Sequence, residues 1–140
     1  MLVLRLVVDT NVLLSAALKP DSLQRTAFIL AITHPARLYV SAPILEEYAD
    51  VLSRPELSIR RGLRNQLLQL IRNRAHVITP ARRILAATDP DDNIFIECAA
   101  AARADFVITG NRKHFPNFWK NTKFVTPREF VALAAPHLLS

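Results

Sequence analysis

The segment LRLVVDTNVLL, residues 4–14, sets two apolar runs on either side of a short polar stretch. The first run ends at Val8 and is typical of a buried strand, and the second begins at Val12 and predicts the start of a helix. Asp9 therefore stands at the carboxyl end of a first strand, which is the edge where open α/β sheets carry their sites. The alternative is that Asp9 or Asn11 only caps the helix by accepting its free N–H groups.

The composition is that of a folded domain. The chain has 140 residues, of which 51% are apolar, and we expect a single domain over 1–140 with a substantial core. Cys98 is the only cysteine, which rules out an internal disulfide and a Cys-rich zinc site. No signal peptide and no apolar run of about 18 residues is present, so we predict a cytoplasmic protein that does not enter membranes.

Strand and helix patterns alternate along the whole chain. This alternation predicts the α/β class, with a central parallel sheet flanked by helices. The predicted strands cover residues 4–8, 38–40, 76–78, 105–109 and 124–125. The predicted helices cover residues 13–18, 22–33, 41–52, 59–75, 89–103 and 127–133.

The excess of positive charge is unevenly distributed. The net charge is +6, and Glu56 is the only acid in a stretch with eight arginines, which are Arg54, Arg60, Arg61, Arg64, Arg72, Arg74, Arg82 and Arg83. A second basic group follows, made of Arg112, Lys113, Lys120, Lys123 and Arg128. Clustered arginines favour phosphate contacts and hence a nucleic-acid partner. A solvated basic face, or one that meets an acidic protein, is the alternative.

The helix that follows Ser41 allows a test of helix phase. At about 100° per residue, its apolar side chains form one stripe, and Glu46 lies opposite that stripe in solvent. Glu47 lies on the flank of the stripe, where a carboxylate can reach the edge of the sheet. Glu47 is therefore the candidate site residue of this helix.

Two further segments bring polar groups to predicted strand ends and helix starts. In residues 89–92, Asp89 and Pro90 resemble a helix start, although three acids exceed what one cap needs, which makes Asp91 or Asp92 a candidate. In FVITGNRKHFP, residues 106–116, a strand ends at Thr109 and Gly110 permits a tight turn. His114 in the same segment could be a metal ligand or a base, although a lone histidine is usually neither.

These groups meet at one edge of the predicted sheet. Clustered carboxylates such as Asp9, Glu47 and Asp92 repel one another unless a cation neutralises them. Oxygen ligands favour Mg²⁺ or Mn²⁺ over zinc. Such an ion lowers the pKa of a water molecule and stabilises charge at phosphorus, so its position beside an arginine-rich surface points to phosphodiester cleavage.

The chain resembles a known family, the PIN domain, and within it the VapC-like ribonucleases that are toxin components of prokaryotic toxin–antitoxin pairs. The resemblance rests on VVDTNVLLSA, SAPILEEYADVLSRP, DPDDNIFIECAAAARADFVITGN and KHF, which together span most of the chain in the expected order. It implies a Mg²⁺- or Mn²⁺-dependent endonuclease for single-stranded RNA on a parallel sheet. It also implies a homodimer with an antitoxin protein as partner.

The resemblance assigns roles to particular residues. Asp9, Glu47 and Asp92 match the family's first three acids and would bind the metal. Thr10 and Asn11 match the polar pair behind the first acid, and Thr109 matches the hydroxyl residue after the later strand. Thr109, Asn111 and Asn11 would complete the catalytic site. The RNA backbone would be held by Arg112, Lys113, Arg60, Arg61 and Arg64.

The chain departs from the family pattern at the fourth acid. Asn111 and His114 stand at the two places where many members carry this Asp. The departure keeps a second interpretation open, in which the chain is a degenerate PIN domain that binds nucleic acid or protein with little catalysis. A phosphatase with Asp9 as nucleophile is disfavoured, because Asn11 stands where such enzymes carry a second acid.

Overall fold

The computed structural model describes residues 3–139, in which six strands form one sheet. The strands are β1 (Arg5–Val8), β2 (Arg37–Val40), β3 (His76–Val77), β4 (Phe106–Ile108), β5 (Phe118–Trp119) and β6 (Thr122–Val125). Their order across the sheet is β3-β2-β1-β4-β6-β5. All neighbouring strands are parallel except β5 and β6.

Six α-helices accompany the sheet within these residues. They are α1 (Thr10–Leu18), α2 (Leu23–Ala31), α3 (Ala42–Leu52), α4 (Arg61–Arg74), α5 (Asn93–Ala102) and α6 (Pro127–Ala134). The α/β class predicted from the sequence is confirmed. None of the helices in residues 3–139 has the length and apolarity that crossing a bilayer needs.

Most predicted bounds shift by one to three residues, and two elements differ more from the sequence-based expectation. The helix predicted from residue 89 begins at Asn93, because Pro90–Asp92 form a 3₁₀ turn in which the Asp89 side chain accepts the Asp91 N–H at 3.0 Å. The two-residue strand β5 was not predicted at all. It pairs antiparallel with β6 through Trp119 and Thr122, and a strand this short has no readable period.

The centre of the sheet carries β1, which pairs with β2 on one side and β4 on the other. Leu6, Val7 and Val8 are fully buried, which explains why this strand is apolar from Leu6 onward. Parallel strands end at one edge, so β1 and β4 deliver Asp9 and Thr109 side by side.

Helix α3 is fastened to this central strand by a buried hydrogen bond. The Tyr48 hydroxyl donates to the main-chain carbonyl of Val8, immediately before Asp9. Burial raises the pKa of Tyr48 well above its ordinary value, so the phenol remains a donor. This bond sets the position of α3, and therefore of Glu47, relative to the end of β1.

Replacing Tyr48 by Phe is expected to lower the free energy of unfolding by about 1–3 kcal/mol, because the buried Val8 carbonyl loses its donor. Urea denaturation measures the change. Tyr39→Phe is the matched control, since Tyr39 is only half-buried and has no hydroxyl hydrogen bond among residues 3–139. Equal stability of both variants would show that the bond does not hold α3.

Candidate active site

Asp9 is a buried carboxylate at the end of β1, with 3% of its surface exposed. Its Oδ2 atom accepts a hydrogen bond of 2.7 Å from Oγ1 of Thr109, which in turn accepts the Asn111 N–H at 3.0 Å. Burial raises the pKa of Asp9, and the Thr109 hydrogen bond opposes that rise. Asp9 occupies the N-cap position of α1 but makes no side-chain cap hydrogen bond there. The backbone N–H groups of Thr10 and Asn11 at the start of α1 also lower the pKa of Asp9, but burial outweighs them.

Glu47 faces the same edge from α3. Glu46 is exposed and Glu47 is half-buried, so the helix phase inferred from the apolar stripe is confirmed. The Thr10 hydroxyl donates to Oε2 of Glu47. Thr10 directly follows Asp9, so this bond brings the second carboxylate to the start of α1. Asn11, the next residue of α1, is exposed.

Asp92 completes the group from the 3₁₀ turn before α5. Burial, with further contributions from Asp9 and Asp89, raises the pKa of Asp92 from 3.8 to about 6. His114 opposes the rise, with its Nδ1 atom 3.8 Å from Oδ2 of Asp92. Glu47 also raises the pKa of both Asp9 and Asp92. The three carboxylates predicted from the sequence thus lie close enough to repel one another.

The chemistry of these donors fits a hard divalent cation. Within residues 3–139, no three side chains of His, Cys, Asp or Glu are gathered tightly enough to enclose an ion as they stand. However, Asp9, Glu47 and Asp92 supply oxygen donors whose mutual repulsion a cation would relieve. These three residues are the ones that could hold Mg²⁺ or Mn²⁺.

Arg112, predicted to contact RNA, has a carboxylate partner in the structure. Its Nη1 atom lies 2.9 Å from Oε1 and 3.2 Å from Oε2 of Glu129. Glu129 also closes a capping box with Thr126 at the start of α6. The T-x-x-E pattern at 126–129 could have predicted the cap, but nothing in the sequence links it to Arg112. Lys113 beside it is exposed.

The other predicted RNA contacts lie at the start of α4. Arg60 is at the N-cap position, Arg60 and Arg61 are exposed, and Arg64 is half-buried. Leu68 and Ile71 anchor the same helix in the protein. Helix α4 packs on α3, which carries Glu47. The structure therefore presents these arginines at the surface but gives them no contact with the three carboxylates.

The chain belongs to the PIN domain family, because residues 5–113 match the family model described as "PIN domain". This match covers both β1 with Asp9 and the segment that carries Thr109 and Asn111. The resemblance inferred from the sequence motifs is therefore confirmed. PIN domains are generally nucleases.

Two individual proteins are similar to the chain, one in sequence and one in fold. The chain is 28% identical to an uncharacterized protein of Methanocaldococcus jannaschii, over an alignment 140 positions long that covers 91% of this chain and 90% of the relative. Its fold is similar to a chain in the crystal structure of VapBC2 from Rickettsia felis bound to a DNA fragment from their promoter. That likeness has a TM-score of 0.60 and 15% identity and covers 88% of this chain and 98% of that chain. At this identity the second comparison concerns the fold alone.

Proposed function

We propose that this protein is a divalent-metal-dependent endoribonuclease that cleaves single-stranded RNA. The observation that carries the proposal is the buried Asp9 at the end of the central strand, within electrostatic reach of Glu47 and Asp92. Membership of a family whose members are generally nucleases supports the same reaction class. A buried carboxylate with like-charged neighbours is costly for folding, and a metal site gives it a use.

Each residue of the proposed site has its own role. Asp9, Glu47 and Asp92 would hold Mg²⁺ or Mn²⁺, and the ion would lower the pKa of a water molecule and stabilise charge at phosphorus. Thr109 fixes the rotamer of Asp9 through its 2.7 Å hydrogen bond, and Thr10 does the same for Glu47. Asn111 and Asn11 hydrogen-bond substrate or water at the edge of the site. Lys113, Arg112 and the arginines of the α4 start attract the RNA backbone.

We further propose that the protein acts as the toxin of a type II toxin–antitoxin pair, as a cytoplasmic homodimer with a cognate antitoxin as protein partner. The support is the likeness in fold to a chain of the VapBC2 structure, together with the family match. A metal-dependent ribonuclease inside a cell needs restraint, which a bound partner provides. Co-purification of the chain with the product of a neighbouring gene tests this part of the proposal.

Cleavage of a labelled single-stranded RNA tests the enzymatic part. The purified protein is incubated with Mn²⁺, Mg²⁺ or EDTA, and products are resolved on a denaturing gel. Cleavage that requires either metal supports the proposal. No cleavage of several RNAs by a folded protein with either metal contradicts it.

Asn111 and His114, in place of a fourth acid, favour one competing function, a PIN domain that binds but does not cleave. A site with one carboxylate fewer attracts a cation less strongly. Titration of the protein with Mn²⁺ separates the two functions. Binding in the micromolar range supports the nuclease, and binding no tighter than millimolar favours the binding module.

The two adjacent glutamates of α3 provide a matched pair of variants. Glu47→Gln is expected to reduce metal-dependent cleavage about a hundredfold, as loss of one charged ligand typically costs several kcal/mol in the transition state. Glu46→Gln, on the exposed face of the same turn, is expected to cleave like wild type. Cleavage rates under single-turnover conditions provide the measurement. Equal activity of the two variants would remove Glu47 from the site.

A further inference from the structure

A groove lined by basic side chains lies beside the candidate active site. The residues that line it differ from those assigned to that site. The groove has a volume of about 590 Å³ and lies between α5 and the loop formed by residues 79–85. Its lining includes Pro43, at the start of α3, and Pro90, in the turn that carries Asp92. We call it the Arg82 groove, after one of the two consecutive arginines that line it, Arg82 and Arg83.

The loop that forms the outer wall is held in place by side chains of α5. Glu97 accepts the main-chain N–H of Ile84 at 2.9 Å, and Ile84 itself is buried. Asn93 accepts the N–H groups of Ala86 and Ala87 at 3.1 and 2.8 Å. These bonds satisfy the loop backbone from inside, so the side chains that point outward are presented from a fixed position.

The charge of the groove is suited to an anion. Arg82 and Arg83 are exposed and make no ion pair with another residue of the described range 3–139. Glu97 is the one carboxylate that lines the groove, and its Oε2 already accepts the Ile84 N–H. Within residues 3–139, two guanidinium groups without an ion-pair partner thus line the groove together with a single carboxylate, which already accepts a hydrogen bond from the loop backbone.

The remaining walls are apolar. Leu85 is 87% exposed, and Pro80 and Ile94 line the groove beside it. A ligand that carries both negative charges and flat apolar faces satisfies such a surface better than a simple anion does. Single-stranded nucleic acid has both features, because its bases are unpaired and free to lie against apolar side chains.

The groove continues away from the active site. A second cavity of about 340 Å³ shares Arg82 and Glu97 with it and runs over Ala100 and Ala101 of α5 to Lys120. The two cavities therefore form one path that is lined by Pro90 and Asn93, on either side of Asp92 in the sequence, and that passes three cationic side chains, Arg82, Arg83 and Lys120.

We propose that the Arg82 groove binds the part of a single-stranded RNA that flanks the scissile phosphate, with Arg82 and Arg83 in contact with successive backbone phosphates. The proposal rests on the proposed ribonuclease function for the position of the scissile phosphate. The groove is a different surface from the RNA contacts predicted from the sequence, which lie on α4 and at Arg112. The flanking strand enters beside Pro90 and follows α5 toward Lys120.

Binding of a fluorescein-labelled oligouridine, measured by fluorescence anisotropy, tests the proposal. The protein carries Asp9→Asn so that the probe stays intact during the titration. Adding Arg82→Glu and Arg83→Glu is expected to weaken binding tenfold or more. It should also reduce the slope of log affinity against log salt concentration by roughly the contribution of two phosphate contacts. The matched control adds Lys19→Glu and Arg37→Glu, which make the same change of charge at exposed residues that end α1 and begin β2. All proteins are first shown to have the same melting temperature.

The outcomes separate the groove from the ribonuclease function. Equal weakening in both charge-reversed proteins would mean that net charge alone attracts RNA, and the groove proposal falls. A polyglutamate peptide that displaces the oligouridine as effectively as unlabelled RNA would assign the groove to an acidic protein and also overturns it. If the wild type cleaves RNA but the groove variant binds normally, the ribonuclease stands without the groove. If binding depends on Arg82 and Arg83 but wild type never cleaves, the groove stands without the ribonuclease.

Discussion

Asp9→Asn is expected to reduce RNA cleavage about a thousandfold or more, which corresponds to roughly 4 kcal/mol of lost transition-state stabilisation. The carboxylate is the most buried of the three acids and stands at the end of the central strand β1. The variant should remain folded. Asn has the same shape, and its side-chain oxygen can still accept the Thr109 hydroxyl.

Asp21→Asn is the control for this experiment, since Asp21 is an exposed acid in the connection between α1 and α2. It removes one negative charge without touching the site, so its cleavage rate should equal that of wild type. Both variants are purified by the same procedure as the wild type. Full activity in Asp9→Asn would remove the mechanism, and equal activity in every preparation would indicate a contaminating nuclease.

The sequence predicts most of this fold because each central strand carries a strong local signal. Within residues 4–8 every residue but Arg5 is apolar, and a polar break and a new apolar period follow at once, which places Asp9 at a strand end. The phase of α3 is equally readable, since a stripe that contains Ile44 and Tyr48 leaves only one orientation for the helix. The side of α3 on which Glu47 lies therefore followed from the sequence.

Other features depend on contacts between distant segments. Strand β5 has two residues and exists because its partner β6 supplies the hydrogen bonds. Arg112 pairs with Glu129 across 17 residues, and the Tyr48 hydroxyl reaches Val8 across 40. No local pattern encodes such pairs, because they arise only when the sheet brings the segments together.

The candidate site likewise combines features that the local sequence predicts with features that depend on contacts between distant segments. The sequence predicts that Asp9, Glu47 and Asp92 meet at one edge, because Asp9 follows a strand, Asp92 stands at a predicted helix start and Glu47 lies on the flank of the apolar stripe of its helix. The resemblance names Thr109 and Thr10, but their hydrogen bonds to Asp9 and Glu47 join segments distant in the sequence and follow only from the fold. The loop that carries Arg82 had no periodic signal, and its position depends on the hydrogen bonds that Asn93 and Glu97 accept from it.

Asp92→Asn is expected to reduce cleavage by at least a hundredfold and at the same time to stabilise the metal-free protein. The pKa of Asp92 is raised to about 6 in the folded state, mainly by burial, from an ordinary value of 3.8. The folded protein therefore holds this proton more tightly than the unfolded chain does. Its contribution to stability is fully present below about pH 4 and is lost as the pH rises through about 6.

At about pH 8 in EDTA, the wild type must carry an ionised Asp92, and the Asn variant does not. The variant should exceed the wild type in free energy of unfolding by about 1–3 kcal/mol at that pH, and the difference should vanish near pH 4. Urea denaturation at the two pH values measures it. Asp91→Asn, at the exposed neighbouring position, is the control and should leave stability unchanged at both. A variant that is less stable than wild type at pH 8 would mean that the surrounding protein already satisfies the Asp92 carboxylate.

Addition of Mn²⁺ should reverse this order. A cation that binds only the folded state stabilises it in proportion to its affinity, and the wild type has one more charged ligand than Asp92→Asn. The wild type should therefore gain more from the metal than the variant does, and the stability difference at pH 8 should shrink or change sign. A reversal would show that the carboxylate of Asp92, which lowers the stability of the protein in EDTA, is also a ligand of the ion. Equal gains in both proteins would place the ion elsewhere and leave Asp92 with no role in holding it.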